Sequence, residues 1–258
     1  IPMATDIAFS LGILSLLGNR IPLSLKLFLA SLAIIDDLGA IITIAVFYSQ
    51  HILLVYLIAA ISIWVMLLIT NKINFSNLLV YIIGGLLMWF CTLKSGIHPT
   101  ISGVLLAIAI PFKSNNTVSL AEKFYCQLDK PVAFFVVPLF ALANTSIIIP
   151  ADVASSLISA NAIGIFLGLV IGKPLGISLF TYLAQKINIG KLPDEINMKL
   201  IIGVGMLGGI GFTMSIFISL LAFDTSHLQD ISKLTIIISS TVAAIIGWLF
   251  MKFNNNQK

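Results

Sequence analysis

Apolar stretches, each close to the width of a bilayer, alternate with short polar connections along the chain. A crossing helix needs about 20 mostly apolar residues. On that ruler the pattern predicts a partial span at 1–17 and eight further spans at 23–48, 52–70, 77–93, 97–112, 131–149, 158–184, 200–222 and 234–251. Polar punctuation falls at Gly18-Asn-Arg20, Asn71-Lys-Ile-Asn74, Lys113-Ser-Asn-Asn116, Lys186-Ile-Asn-Ile-Gly-Lys191 and the Asn254-Asn-Asn-Gln-Lys258 tail. Residues 117–130 read as a polar extension of the span that follows them. The pattern predicts an all-α, polytopic membrane protein.

Three of these spans carry glycine or proline where a helix should be uninterrupted: Pro2 in the first, Gly172-Lys-Pro-Leu-Gly176 in the sixth full span, and Gly203-Val-Gly-Met-Leu-Gly-Gly-Ile-Gly211 in the seventh. Gly208, Gly209 and Gly211 lie in that last run. Irregular backbone at membrane depth persists only where it lines a cavity or is buried in protein. Interrupted helices in corresponding parts of a transporter point to an ion site near the midplane.

Composition agrees with the pattern. The chain is 59% hydrophobic and only 9% charged, against about 25% charged residues in soluble domains. The net charge of +4 comes from dispersed basic residues, which argues against a nucleic-acid partner. Cys91 and Cys126 lack the spacing of a metal site, and His51, His98 and His227 are scattered, so no zinc centre and no disulfide are expected. His98, in Gly96-Ile-His-Pro-Thr100, reads as a capping or interfacial residue. Trp64, Trp89 and Trp248 read as lipid-facing or interfacial anchors.

Alternating the connections across the bilayer sorts the basic residues sharply. One side receives Arg20, Lys26, Lys72, Lys113, Lys123, Lys130, Lys186, Lys191, Lys199, Lys252 and Lys258; the other receives only Lys94 and Lys233. The excess of basic residues marks the cytoplasmic side, which puts the C-terminus there.

Four charged residues then fall well inside spans: Asp6, Asp36, Asp37 and Lys173. Each aspartate at a helix centre costs about 2.5–3.5 kcal/mol on insertion scales, so such residues are functional by default. Asp36 and Asp37 are adjacent, in Ala33-Ile-Ile-Asp-Asp-Leu-Gly-Ala40. Two neighbouring carboxylates repel, and either a cation or protons relieve the repulsion, so the pair can trade protons for a metal cation. Successive helical residues point about 100° apart, which lets one carboxylate face a cation while the other faces a basic partner. Lys173 is the basic residue the interior offers for that role. It can also offset the negative ends of helices that meet at a break, as Asp6 can offset positive ends. Thr5 supplies a hydroxyl and a carbonyl of the kind that coordinate Na⁺.

Ala4-Thr-Asp-Ile-Ala-Phe9, Ala33-Ile-Ile-Asp-Asp-Leu-Gly-Ala40, Pro138-Leu-Phe-Ala-Leu-Ala-Asn144, Gly172-Lys-Pro-Leu-Gly-Ile177 and Gly205-Met-Leu-Gly-Gly-Ile-Gly-Phe-Thr-Met-Ser215 together resemble the NhaA family of Na⁺/H⁺ antiporters. The resemblance implies an inverted-repeat transporter fold with two discontinuous, crossing helices. That family is itself one of the known examples from which the broken-helix rule is drawn. The resemblance also implies that residues 1–258 form a single transmembrane transporter domain, N-terminally incomplete, holding helices four to twelve of twelve. The start at Ile1-Pro-Met-Ala-Thr-Asp6 carries the same expectation. By matching motif positions, Asp36 and Asp37 are the Na⁺ and proton site, Thr5 and Asp6 stand at the first break, and Lys173 pairs with Asp36. Pro2, Gly208, Gly209 and Gly211 shape the broken backbone.

The implied activity is exchange of cytoplasmic Na⁺ (or Li⁺) for external protons, serving pH and sodium homeostasis, by a secondary transporter and not an enzyme. The transported ions are Na⁺, Li⁺ and H⁺, with no cofactor. The implied setting is a bacterial inner membrane, with the lipid bilayer as partner and a homodimer as the full-length assembly. The region that carries a Glu-His cluster in many family members reads Glu122-Lys-Phe-Tyr-Cys-Gln-Leu-Asp-Lys130 here. Two other readings compete with antiport. One is a transport-inactive fragment of such an antiporter. The other is an intramembrane aspartyl protease, which needs its two aspartates on different helices, not side by side.

Overall fold

The computed structural model describes residues 4–18, 21–47, 53–73, 75, 77–112, 119–146, 156–193 and 195–254. Pro2, Arg20, His51, Lys258 and the polar connection 113–116 lie outside the described residues. Among the described residues every regular element is helical: α1 (Ile7–Ser15), α2 (Leu23–Phe47), α3 (Leu54–Lys72), α4 (Leu78–Ser95), α5 (Thr100–Ala109), α6 (Leu120–Asn144), α7 (Ala160–Lys186), α8 (Met198–Gly208), α9 (Phe212–Ala222) and α10 (Ser226–Asn254). Five of these are long and apolar enough to cross a membrane, or six with α8 and α9 counted as one bent span.

The chain forms two compact units, residues 1–40 with 142–258, and residues 41–141. In the second, α3 and α4 pack as a hairpin around Leu67, Tyr81, Ala109 and Leu120. Two side chains tie α5 to α3: Trp64 Nε1 donates to the Leu105 carbonyl (2.9 Å) and Asn71 Nδ2 to the Ala109 carbonyl (2.9 Å). Trp64 is therefore a packing residue and not a lipid-facing anchor, because its indole N–H finds a backbone acceptor on a neighbouring helix. The predicted span 97–112 shortens to ten helical residues in α5. His98 Nδ1 accepts the Thr100 N–H (3.4 Å) at the start of that helix, the capping role its position suggests.

The first unit holds α1, the N-terminal part of α2, and α7 to α10. Leu14, Leu25, Leu29, Ile201, Val204, Leu207 and Met251 form its larger core. Ile165, Leu169, Ile216 and Ile236 form a second cluster. Lipid removes most of the hydrophobic drive between helices, so close backbone approach and hydrogen bonds carry the packing. Helix α10 answers with Thr235, Ser239, Ala243 and Gly247, one every fourth residue and all buried. A Cβ on Gly247 would meet Leu207 of α8 at 2.8 Å, and one on Gly205 would meet the Pro174 Cα of α7 at 3.0 Å. Helices α7, α8 and α10 thus touch at backbone distance.

Two further predicted features change in the structure. The run Gly172-Lys-Pro-Leu-Gly176 does not break its span: α7 continues through it by a π-helical turn at Gly168–Gly172. The Lys173 N–H reaches back to the Gly168 carbonyl, so one extra residue is absorbed just before Pro174, whose ring cannot follow an ordinary turn. A second π turn, Val132–Val136 in α6, stands in the same relation to Pro138: the Val137 N–H reaches back to the Val132 carbonyl one residue before that proline. The other change concerns Lys233, assigned by charge counting to an outer connection. It lies within α10 and its side chain is 11% exposed. Its Nζ donates to the Ser146 carbonyl (3.0 Å) and sits 3.7 Å from Asp230. Apolar counting starts this span at 234 and misses two helical turns of mixed polarity.

Gly209→Ala should destabilise the full-length protein, because the added Cβ would run into the Leu169 carbonyl. Overpacking of this kind costs about 1–3 kcal/mol. Gly164→Ala, where nothing lies within 4 Å, should leave thermal unfolding in detergent unchanged or slightly raised. Equal melting temperatures for the two variants would contradict the packing described.

Candidate functional site

Helices α8 and α9 are together long and apolar enough for one span, and they are bent by 51° at the break, residues 209–211. Gly209 closes α8 and Gly211 opens α9. The short segment 4–6, which leads into α1, lies against this break. The Asp6 N–H donates to the Ile210 carbonyl (2.7 Å), and Ser215 Oγ donates to the Ala4 carbonyl (3.0 Å). A Cβ on Gly211 would stand 3.1 Å from that carbonyl and closer still to Ser215. Phe9 and Phe212 stack edge to face across the contact, with centroids 4.8 Å apart.

Asp6 serves two helix N-termini. Its Oδ1 accepts the Phe9 N–H of α1 (3.1 Å), and its Oδ2 accepts the Thr213 N–H of α9 (3.1 Å) and the Thr213 hydroxyl. At 4% exposure it is a buried charge placed where two positive helix ends converge, as dipole reasoning predicts. The two other leading amides of α9, Gly211 and Phe212, donate to Ser240 Oγ at 3.2 and 3.1 Å.

The opposite charge sits at the end of α8. Lys173 Nζ donates to the Gly208 carbonyl (3.1 Å), to Asp36 Oδ2 (2.8 Å) and to Thr5 Oγ1. Thr5 Oγ1 lies 2.9 Å from both Asp36 Oδ2 and the Gly208 carbonyl; its single proton serves one of them at a time. Ser10 Oγ donates to the neighbouring Leu207 carbonyl (3.1 Å). The ammonium therefore faces a carboxylate and a negative helix end together. Lys173 directly follows the π turn of α7.

Asp36 and Asp37 lie mid-way along α2, and the two carboxylates part company there. Asp36 is held by Lys173 and Thr5. Asp37 has a buried Oδ1 with no hydrogen-bond partner among the described residues. A buried acceptor without a donor is a costly arrangement, and it is the chemistry a cation or a proton completes.

Of the residues singled out from sequence, Thr5, Asp6, Asp36, Lys173, Gly208, Gly209 and Gly211 come together through contacts around the break, with Asp37 beside Asp36 on α2. Pro2 is outside the described residues. Sequence reasoning gives no role to Ser10, Thr213, Ser215 or Ser240, all of which bond to the broken backbone or to the carboxylate that caps it. Their signal is weak: a hydroxyl in an apolar helix usually returns to its own backbone, as Thr235 and Ser239 do here.

The fold and the site define a multi-pass helical membrane protein in which a broken helix, a buried lysine and an aspartate pair share one centre. The family model described as Na⁺/H⁺ antiporter 1 matches residues 1–251, and the chain belongs to that family. It is 56% identical over 252 residues to the Na⁺/H⁺ antiporter NhaA of Cytophaga hutchinsonii, covering 98% of this chain and 65% of that protein. The NhaA of Flavobacterium psychrophilum is also 56% identical, over 98% of this chain and 66% of its own length. That of Dechloromonas aromatica is 51% identical, over 100% and 68%. The chain spans about two thirds of the length of these relatives.

Lys173→Ala should destabilise the full-length protein by about 3 kcal/mol, since it leaves Asp36 charged and uncompensated. Adding Asp36→Asn should restore part of that loss. A double-mutant cycle read by thermal unfolding should give a coupling above about 1 kcal/mol; additive losses would refute direct pairing.

Proposed function

We propose that the full-length protein is a secondary Na⁺(Li⁺)/H⁺ antiporter that works by alternating access at the Asp36–Asp37 pair. One observation carries the reading: of two adjacent carboxylates in an apolar helix, Asp36 is neutralised by Lys173 while Asp37 keeps a buried oxygen unpartnered among the described residues. Family membership and the names of the relatives support the same conclusion.

In this reading Na⁺ binds against Asp37, with Asp36 and Thr5 as the neighbouring oxygen donors. Two carboxylates and one ammonium leave one negative charge for a monovalent cation to balance. Protons compete for the same oxygens, because protonation removes the charge that holds the cation. Loss of the Asp36 charge also weakens its hold on Lys173, which stays engaged with the Gly208 carbonyl. Asp6 and Lys173 compensate the helix ends in both states, so the broken span can shift without exposing bare dipoles to lipid. Adjacent aspartates on one helix cannot flank a scissile peptide, which disfavours a protease.

The same proposal places the protein in a bacterial inner membrane, as the family resemblance implies, with its C-terminus in the cytoplasm on the strength of the lysine and arginine bias. The homodimer rests on the family resemblance.

Asp37→Asn in the full-length protein should reduce Na⁺-driven proton movement in vesicles to background, read with a pH dye. Near-normal exchange would sink the shared-site mechanism. Orientation has a separate check in Cys126, which is exposed on the polar first half of α6. A membrane-impermeant thiol reagent should label it in inside-out vesicles and spare it in right-side-out ones; the reverse pattern would invert the topology.

A further inference from the structure

The first amides of a helix have no partners within it, and in a membrane each one left bare costs several kcal/mol. Helix α9 begins inside the protein and settles three such donors through two acceptors. Thr213 uses Asp6, whereas Gly211 and Phe212 share Ser240 Oγ. Ser240 is 5% exposed and belongs to α10, a helix that contributes no charge to the ion site. Its neighbours behave differently: Ser239 donates to the Thr235 carbonyl and Thr241 to the Ile237 carbonyl, each within its own helix. Of these three adjacent hydroxyl residues, Ser240 is the one that reaches across to the break.

We propose that Ser240 is a positioning residue for the ion site, an inference that rests on reading Asp36, Asp37 and Thr5 as the place where Na⁺ binds. By accepting two of the three amides, Ser240 leaves the Asp6 carboxylate to Thr213 and Phe9 alone. Asp6 is bonded through the chain to Thr5, which lies against Gly208, Asp36 and Lys173. Without the Ser240 oxygen, the carboxylate beside Thr213 is the charged acceptor next in line for the Gly211 and Phe212 amides. Asp6 tips towards them and carries Thr5 away from Asp36. The end of α9 has little room to move instead, since Gly211 already packs against Ala4 and Ser215. Ser240 thereby sets the geometry of oxygen donors it does not touch.

The test compares Ser240→Ala, Ser240→Cys, Ser240→Thr and Thr241→Ala in the full-length protein reconstituted in vesicles, with hydrogen exchange by mass spectrometry on the segment containing 211–213. Ser240→Ala should raise the half-saturating Na⁺ concentration about tenfold, the loss of roughly one net hydrogen bond, while the maximal rate changes by no more than about twofold. Ser240→Thr keeps the oxygen and should stay within about twofold of the parent, and Thr241→Ala should be unchanged. Ser240→Cys fills the same space with a weaker acceptor and should fall between; it carries the comparison if the alanine variant does not fold. Amide exchange at 211–213 should quicken in the alanine variant and not in the threonine variant. Unchanged Na⁺ dependence with unchanged amide exchange in Ser240→Ala would overturn the proposal. So would equal impairment of the Ala, Cys and Thr variants, which is the behaviour of a packing site. If the parent itself shows no Na⁺/H⁺ exchange, the functional reading fails, and amide exchange alone then decides whether Ser240 holds the end of α9.

Discussion

A helix that ends inside a bilayer leaves N–H or C=O groups that water cannot reach, and the rest of this structure is arranged around supplying them with partners. At the break between α8 and α9 the supply is divided by sign. Asp6 takes the positive ends of α1 and α9, and Lys173 takes the negative end of α8. Neutral hydroxyls complete the set: Ser10 on the Leu207 carbonyl, Ser215 on the Ala4 carbonyl and Ser240 on two amides of α9. A buried charge is normally a liability in lipid. Here each one sits where the backbone already presents the opposite partial charge, so the liability of one offsets that of the other.

That arrangement has a consequence for chemistry. Lys173 divides its hydrogen bonds among the Gly208 carbonyl, Thr5 and Asp36, so no single acceptor holds it alone. Asp36 is the one carboxylate among these three acceptors. Asp37, next along α2, keeps a buried Oδ1 without a hydrogen-bond partner among the described residues. The division of labour follows from the 100° step of an α-helix: adjacent residues cannot both point at one lysine. The two carboxylates therefore differ: Asp36 is paired with Lys173, and Asp37 keeps an unpartnered buried oxygen among the described residues.

The glycines serve this geometry by subtraction. Gly205 lets Pro174 approach at backbone distance, Gly209 lies against the Leu169 carbonyl, and Gly247 admits Leu207. Without these contacts the π turn of α7 would not lie against the end of α8, and Lys173 could not reach Gly208. Helix α10 contributes in the same way through its small-residue stripe, and also chemically through Ser240.

Much of this is legible in the chain itself. Apolar length and the rarity of charge establish a multi-pass helical protein, since only closed hydrogen bonding survives in lipid. Asp6, Asp36, Asp37 and Lys173 stand out for the same reason: an ionisable residue in an apolar span is too costly to be incidental. The glycine run at 203–211 announces an irregular backbone. What local reading does not reveal is which backbone group each polar side chain meets. Nothing near Ser240 in sequence distinguishes it from Ser239, yet Ser239 bonds within its helix and Ser240 across to α9. The run around Pro174 reads as a break and is a π turn, because the extra residue is absorbed by a backbone register that sequence does not display. Lys233 counts as a surface charge only while its helix is taken to be as short as its apolar stretch. Composition and periodicity decide what must be buried; tertiary structure alone decides what it is buried against, because hydrogen-bond partners at helix ends come from residues as far apart as Asp6 and Thr213.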